Sequence, residues 1–307
     1  MLELPDLPRS LTEFEQRFGD EDACAEYLVG VRWPDGFVCP GCGGGKAWRL
    51  ESKSWIYECA HCGRQTSVTA GTIMHHSKLP LTTWFWAAYV MATQPNGISA
   101  LQLQRELSLG SYKTAWLLCT KLRRAMAAPS RNLLSGLVEV DKTEISCRSK
   151  HDRAAGSGSS DLGKLVVVGA VEVQDLRLGR IRLSAMPDDS AVSLRAFLVS
   201  NLAPDATAQT GREGSYSDGP AVNNDPDASG ARNASARVQR IFSDLKVWAL
   251  SVHHGLRRRH LQSYFDEFVY RFNCRRNRHA AFPALLGFVA GHPPTTYGML
   301  VSPGAKV

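Results

Sequence analysis

Two Cys-X-X-Cys knuckles, Cys39-Pro-Gly-Cys42 and Cys59-Ala-His-Cys62, stand sixteen residues apart. Two thiolates on one tight turn can grip a single Zn²⁺, and a second such turn completes a tetrahedral four-cysteine site. Gly41, Gly43 and Gly63 suit the backbone that each knuckle needs. A redox pair or unrelated buried thiols would also give Cys-X-X-Cys, but the doubling at this spacing favours zinc. Protein fills all four ligand positions, so the expected zinc is structural rather than catalytic.

Chemistry toward a polyanion is carried by two basic clusters. Between His253 and His279 lie Arg257, Arg258, Arg259, Arg271, Arg275, Arg276 and Arg278, against only Asp266 and Glu267. A second cluster, Lys121, Arg123 and Arg124, closes an expected helix. Clustered arginine is the electrostatic footprint of a phosphate backbone. A solvated helix face is the alternative for either cluster alone. The net charge of +7 and pI near 9.0 point the same way, toward an anionic partner.

These groups need elements to hold them. Residues 10–30 are expected to form a helix, capped by Ser10 or Thr12, with Phe14, Phe18, Cys24, Tyr27 and Leu28 at helical spacing. Residues 46–50 and 54–59 read as two short strands between the knuckles. A helix is expected over 81–93, its aromatic residues serving as core. Ser99 can cap a short helix with Leu101, Leu103 and Leu107 on its apolar side. After the turn at Leu109-Gly110, Ser111 starts a longer helix with Ala115, Leu118 and Leu122 placed for burial. That pattern suits a helix-turn-helix, with Tyr112, Lys113, Thr114 and Lys121 on the exposed side, or an ordinary helical hairpin.

From Gly136 the character changes. Residues 137–141, 164–173 and 180–184 read as strands, with a Gly/Ser-rich loop over 150–163. Asp189 or Ser190 caps a helix carrying Leu194, Phe197, Leu198 and Leu202. Strands followed by a helix suit a mixed α/β domain. Residues 203–237 are too polar to bury much surface and read as a long flexible loop, with one weak strand near Thr207. Helices are expected again over 238–250 and 260–273.

The 307 residues are 44% hydrophobic, enough for two or three domains. No apolar run approaches the ~20 residues of a membrane span, and no signal-peptide pattern opens the chain. Four of the eight cysteines belong to the knuckles and Cys24, Cys119, Cys147 and Cys274 are scattered. This usage suits a reducing cytosol better than a disulfide framework.

Several segments carry a resemblance. Arg32-Trp-Pro-Asp-Gly-Phe-Val-Cys-Pro-Gly-Cys-Gly43, Lys113-Thr-Ala-Trp116, Val138-Glu-Val-Asp141, His253-His-Gly255 and His260-Leu-Gln-Ser-Tyr-Phe-Asp-Glu-Phe-Val-Tyr-Arg-Phe-Asn273 resemble bacterial insertion-sequence transposases of the ISXO-like family. Those proteins join an N-terminal zinc ribbon to an RNase H-like DDE domain. The resemblance implies metal-dependent DNA cleavage and strand transfer on two divalent ions, Mg²⁺ being the natural one. It places the first catalytic Asp at Asp141, followed here by Lys142-Thr143 where Glu-Thr is usual. The second Asp aligns with Gly211, within Thr210-Gly-Arg-Glu213, and Tyr216 falls on a family tyrosine. Asp218 or Glu213 could substitute. The third ligand, seven residues before the helix lysine Lys246, is Gln239.

The resulting expectation is a multidomain α+β chain. Residues 1–72 form an N-terminal helix and zinc ribbon, and 73–132 a helix-turn-helix-like DNA-binding region. Residues 133–290 form an RNase H-like DDE-type domain and 291–307 a tail. Double-stranded transposon-end DNA is the expected partner, met by Lys113, Lys121, Arg123, Arg124, Arg257, Arg258, Arg259, Arg275 and Arg276. The chain is expected to act as a homo-oligomer on DNA in the bacterial cytoplasm, at the nucleoid and not on a membrane. The substituted ligands imply impaired catalysis, or a DNA-binding remnant or regulator without catalysis.

Overall fold

A computed structural model of the chain describes residues 8–51, 53–127, 132–147, 163–174, 177–210 and 236–301. They fall into two compact units, Met1–Ala128 with Arg276–Val307, and Pro129–Arg275. This division differs from the expected one. The ribbon and the following helices share one unit, and the sheet-bearing unit ends at Arg275 rather than at 290.

The first unit opens with α1 (Leu11–Phe18) and α2 (Glu21–Arg32), where the periodicity suggested one helix. Asp20 makes the break: its side chain accepts the Ala23 N–H at 2.7 Å and caps a new helix. Glu21, beside it, reaches further. Its carboxylate accepts the Leu81 and Thr82 N–H groups, each at 2.8 Å, and so caps α3 (Leu81–Thr93), whose own N-cap Pro80 makes no side-chain hydrogen bond. Between these helices lies a three-stranded antiparallel ribbon, β1 (Ala47–Leu50), β2 (Lys53–Cys59) and β3 (Gln65–Ser67). The Arg32 guanidinium, stacked on Trp33, ties α2 to it by donating to the Ser67, Val68 and Ala70 carbonyls.

Two serine-capped helices follow, α4 (Ala100–Glu106) behind Ser99 and α5 (Tyr112–Met126) behind Ser111. In α4 the apolar side is narrower than expected, since Leu103 is buried but Leu101 faces solvent.

The second unit is a four-stranded sheet in the order β6-β5-β4-β7. Its strands are β4 (Leu137–Cys147), β5 (Gly163–Gln174), β6 (Arg177–Ala185) and β7 (Thr207–Thr210), with α6 (Ala191–Asn201) before β7. β4 to β6 run antiparallel, and β7 lies parallel to β4, Thr210 opposite Val140. Helices α7 (Ala236–His253) and α8 (Leu261–Asn273) follow. The alternation of β4 sorts its side chains between two cores. Val138 and Val140 pack with Leu194, Phe197 and Leu198 of α6. Ile145 joins Phe242 and Leu245 of α7 and Phe265 of α8. Gly169 of β5, the register partner of Asp141, lets α7 come close: a Cβ there would lie 2.7 Å from the Phe242 ring. The segments 148–162 and 211–235, where most of the two expected loops fall, lie outside the described residues.

The sheet unit is braced by Glu172, at the irregularity in β5. Its buried carboxylate accepts from the Arg180 guanidinium and from the Ser135 and Arg180 N–H groups. Burial works to raise the Glu172 pKa, but these donors outweigh it and hold the carboxyl below its usual value. Arg180 also donates to the Asn132 and Leu133 carbonyls, fixing the chain just before β4.

The chain then rejoins the first unit through α9 (Arg278–Gly291) and α10 (Tyr297–Val301). α9 packs against α2, α3 and α5. Phe282 sits among Phe14, Phe18, Phe85 and Tyr89, with ring centroids 5.5, 5.6, 6.1 and 5.6 Å away. Phe282, Leu285, Leu286 and Val289 are buried, each worth about 1.5–3 kcal/mol. Together they rival the whole net stability of a domain, about 5–15 kcal/mol.

Candidate functional site

On β4 the residues Glu139, Asp141 and Thr143 share one face, because strand side chains alternate. α7 crosses that face and meets each of them. The Arg237 guanidinium pairs with Glu139 at 2.5 Å. Gln239 Nε2 donates to Asp141 Oδ2 at 2.7 Å. Lys246 Nζ donates to Thr143 Oγ1 at 2.9 Å.

The three contacts differ in burial. Glu139 is 1% exposed. Burial pushes its carboxyl above the usual range, against the pull of Arg237 and of the Arg237 and Val238 N–H groups at the start of α7. Glu139 therefore anchors the first turn of the helix that delivers Gln239. Asp141 is partly exposed. Its second oxygen, Oδ1, accepts the Lys142 N–H at 2.8 Å. The Lys142 side chain points to the opposite face and pairs with Asp189 at 2.7 Å.

Both Asp141 oxygens thus receive N–H donors. Gln239 presents its amide nitrogen, the atom that cannot ligate a cation. β7 is described as far as Thr210, so Gly211, Glu213, Tyr216 and Asp218 lie outside the described residues. Among the described residues the convergent metal-ligand group is the cysteine quartet, and no such group includes Asp141. Among the described residues, one carboxylate and one amide meet here, whereas a two-metal Mg²⁺ centre draws on several converging oxygen ligands.

The cysteine quartet is different. Cys39, Cys42, Cys59 and Cys62 place their sulfurs within 4.8 Å of one another. The pairs Cys39/Cys62 and Cys42/Cys59 stand 3.6 Å apart. Tetrahedral Zn–S bonds of about 2.3 Å require sulfurs about 3.8 Å apart, so this donor set fits zinc. Gly43 (φ 73°) and Gly63 (φ 67°) follow the second cysteine of each knuckle in the left-handed region. Gly41 serves otherwise: a Cβ there would meet the Arg64 side chain at 3.0 Å. The N–H groups of Gly41 and Cys42 lower the Cys39 pKa to about 6. Against the pull of the Gly44 N–H, the neighbouring sulfurs push the Cys42 thiol up to about 12, so a bound cation would have to displace protons from the quartet.

The expected DNA-facing cations divide. Lys113 and Arg276, with Arg257, Arg258 and Arg259, are exposed, and Arg124 is half-buried. Two others are corrected by burial. Lys121 is 8% exposed and donates to the Ile73 carbonyl at 2.9 Å, while Arg123 is 1% exposed. They follow Leu118 and precede Ala125 on a helix whose last two turns are enclosed. Arg275 is also engaged, stacking on Phe272 and donating to the Phe272, Leu178 and Gly179 carbonyls. It clamps the end of α8 to β6. The residues that sequence reasoning passed over are Glu139 and Arg237. No local signal marked Glu139 for burial, because its neighbours Val138 and Val140 lie on the opposite face of the strand.

Comparison with known proteins adds three findings. Residues 133–273 match the family model described as an ISXO2-like transposase domain. Residues 19–65 match that of a transposase zinc-ribbon domain. Over 153 residues the chain is 31% identical to an uncharacterized protein in transposable element ISH50 of Halobacterium salinarum, covering 48% of this chain and 51% of that protein. The chain thus spans about half the length of this curated relative.

Proposed function

Because the zinc-ribbon and sheet regions both belong to transposase domain families, we propose that this chain is an insertion-sequence transposase that binds transposon-end DNA and is impaired in catalysis. The observation that carries the impairment is the Asp141 carboxylate, met by the Gln239 amide and the Lys142 N–H. A strand transferase of this class works through divalent cations gathered by carboxylates. Here the aligned second position is Gly211 and the third is Gln239, neither of which supplies charge.

In this reading the sheet unit is an RNase H-like domain and α4–α5 a helix-turn-helix, with α5 entering the major groove. Tyr112 and Lys113 in its first turn are exposed, which supports that role. Arg257, Arg258 and Arg259 supply phosphate contacts. Zn²⁺ held by the four cysteines supplies a crosslink that fixes the two knuckles. The protein works as a homo-oligomer on DNA in the bacterial cytoplasm, at the nucleoid. No helix among the described residues is long and apolar enough to cross a membrane.

The same pair of bonds favours a second reading, a DNA-binding regulator without catalysis. A strand-cleavage assay on the element's own ends, with Mg²⁺ or Mn²⁺, separates the two. Weak cleavage abolished by Asp141→Ala supports an impaired enzyme. DNA binding with no cleavage, unchanged by Asp141→Ala, supports the regulator.

A further inference from the structure

The helices that would read DNA lie in the first unit, yet that unit is not completed by the N-terminal half of the chain. α9, which follows the entire sheet unit in sequence, is part of its core. α9 is a poor helix on its own. Although Asn277 caps it, its 14 residues are marginal for an isolated helix, its sixth residue, Pro283, removes a backbone donor, and no acidic residue complements its first turn. Its helicity therefore depends on the surface it buries.

That surface depends on α9 in turn. Phe282 is 1% exposed and contacts rings from α1 and α3 at once. Without α9, Phe14, Phe18, Phe85 and Tyr89 would lose the ring that closes them, and α5 would lose a neighbour. A second contact comes from beyond α9. The Tyr297 ring of α10 lies 4.4 Å from Lys113 Nζ, in the first turn of α5. The C-terminal segment thus touches α5 at its packed side and at its solvent-facing cation.

We propose that the DNA-recognition unit is split and closed by residues 278–301, so that it forms only on a chain that includes them. Shortened products carrying the ribbon and α4–α5 but lacking α9 then neither hold α5 in place nor bind DNA. The binding part of this proposal rests on the transposase reading above; the closure part does not.

The test uses full-length protein in two forms. In Phe282→Asp, hydrogen exchange in α1, α3 and α5 should accelerate about tenfold or more, while β4–β6, α7 and α8 keep their protection. Affinity for transposon-end DNA should fall about tenfold or more. The second form carries a specific protease site inserted between Arg276 and Asn277. After cleavage, residues 277–307 should co-elute with the remainder and DNA binding should persist, which decides the matter if Phe282→Asp fails to fold. Unchanged protection of α1, α3 and α5 in Phe282→Asp, or after release of the cleaved segment, would overturn the proposal. If the native protein binds no DNA, the transposase reading fails while the exchange measurement still decides closure.

Discussion

Gln239 donates an amide N–H to Asp141 at 2.7 Å, joining residues 98 positions apart. A carboxylate lone pair that accepts an amide proton is not free for a cation. Turning the Gln239 oxygen toward a metal would break this bond and leave Asp141 to be neutralised by the metal alone. Asp141 keeps a second lone pair on each oxygen, but Gln239 brings no negative charge of its own to the centre of β4.

Restoring charge should therefore restore chemistry. Gly211→Asp combined with Gln239→Glu or Gln239→His should raise Mg²⁺-dependent cleavage of transposon ends well above the low or absent level of the native protein. A gel-based cleavage assay reads this directly. Robust cleavage by the native protein would contradict the impaired reading and point to Asp218 or Glu213 as replacement ligands.

For the cysteine quartet, purified protein should carry one zinc per chain by elemental analysis. Chelation, or Cys59→Ser, should melt the ribbon, because a structural zinc contributes folding energy outright. Hydrogen exchange over β1–β3 should rise on metal removal and recover on adding Zn²⁺. Full protection in metal-free protein would show that the ribbon stands without the ion.

DNA affinity should fall steeply with salt. Replacing Arg257, Arg258 and Arg259 with Ala should weaken binding across sequences and flatten the salt slope by about one unit per lost phosphate contact. Replacing Lys121 or Arg123 should act on stability instead, since both are buried. A salt slope left intact by the triple change would assign those arginines to solvent.

Two of the buried carboxylates of the sheet unit, Glu139 and Glu172, should titrate with opposite signs. Glu139 is raised by burial, so the folded state holds its proton above the ordinary value of about 4.3. Stability falls as pH rises through that window, and Glu139→Gln should remove the fall. Glu172 lies below its ordinary value. Its stabilisation is present above about pH 4.3 and is lost as pH falls through the folded pKa. Glu172→Gln should flatten this acid limb in a denaturant series run against pH. Identical acid limbs for the native protein and Glu172→Gln would refute the assignment.

Local signals wrote much of the fold into the sequence. Ser99, Ser111 and Ser190 cap α4, α5 and α6 because a hydroxyl three residues before a free N–H is a short-range arrangement. The Cys-X-X-Cys pairs fix their own knuckles through two residues of chain and a glycine. The break at Asp20 was equally local, but the apolar spacing of Phe14, Phe18 and Cys24 runs across it and hides it.

Only the tertiary structure decided what depends on partners far along the chain. Lys121 and Arg123 read as surface charge until Ile73 and the enclosing helices bury them, since burial is a property of neighbours and not of a residue type. Arg275 reads as a phosphate ligand until β6 offers it carbonyls. Glu139 needs Arg237 to be tolerable in a core, and that pairing spans 98 residues. Phe282 belongs with Phe14 and Phe85 although the whole sheet unit lies between them, because apolar contact carries no memory of sequence distance.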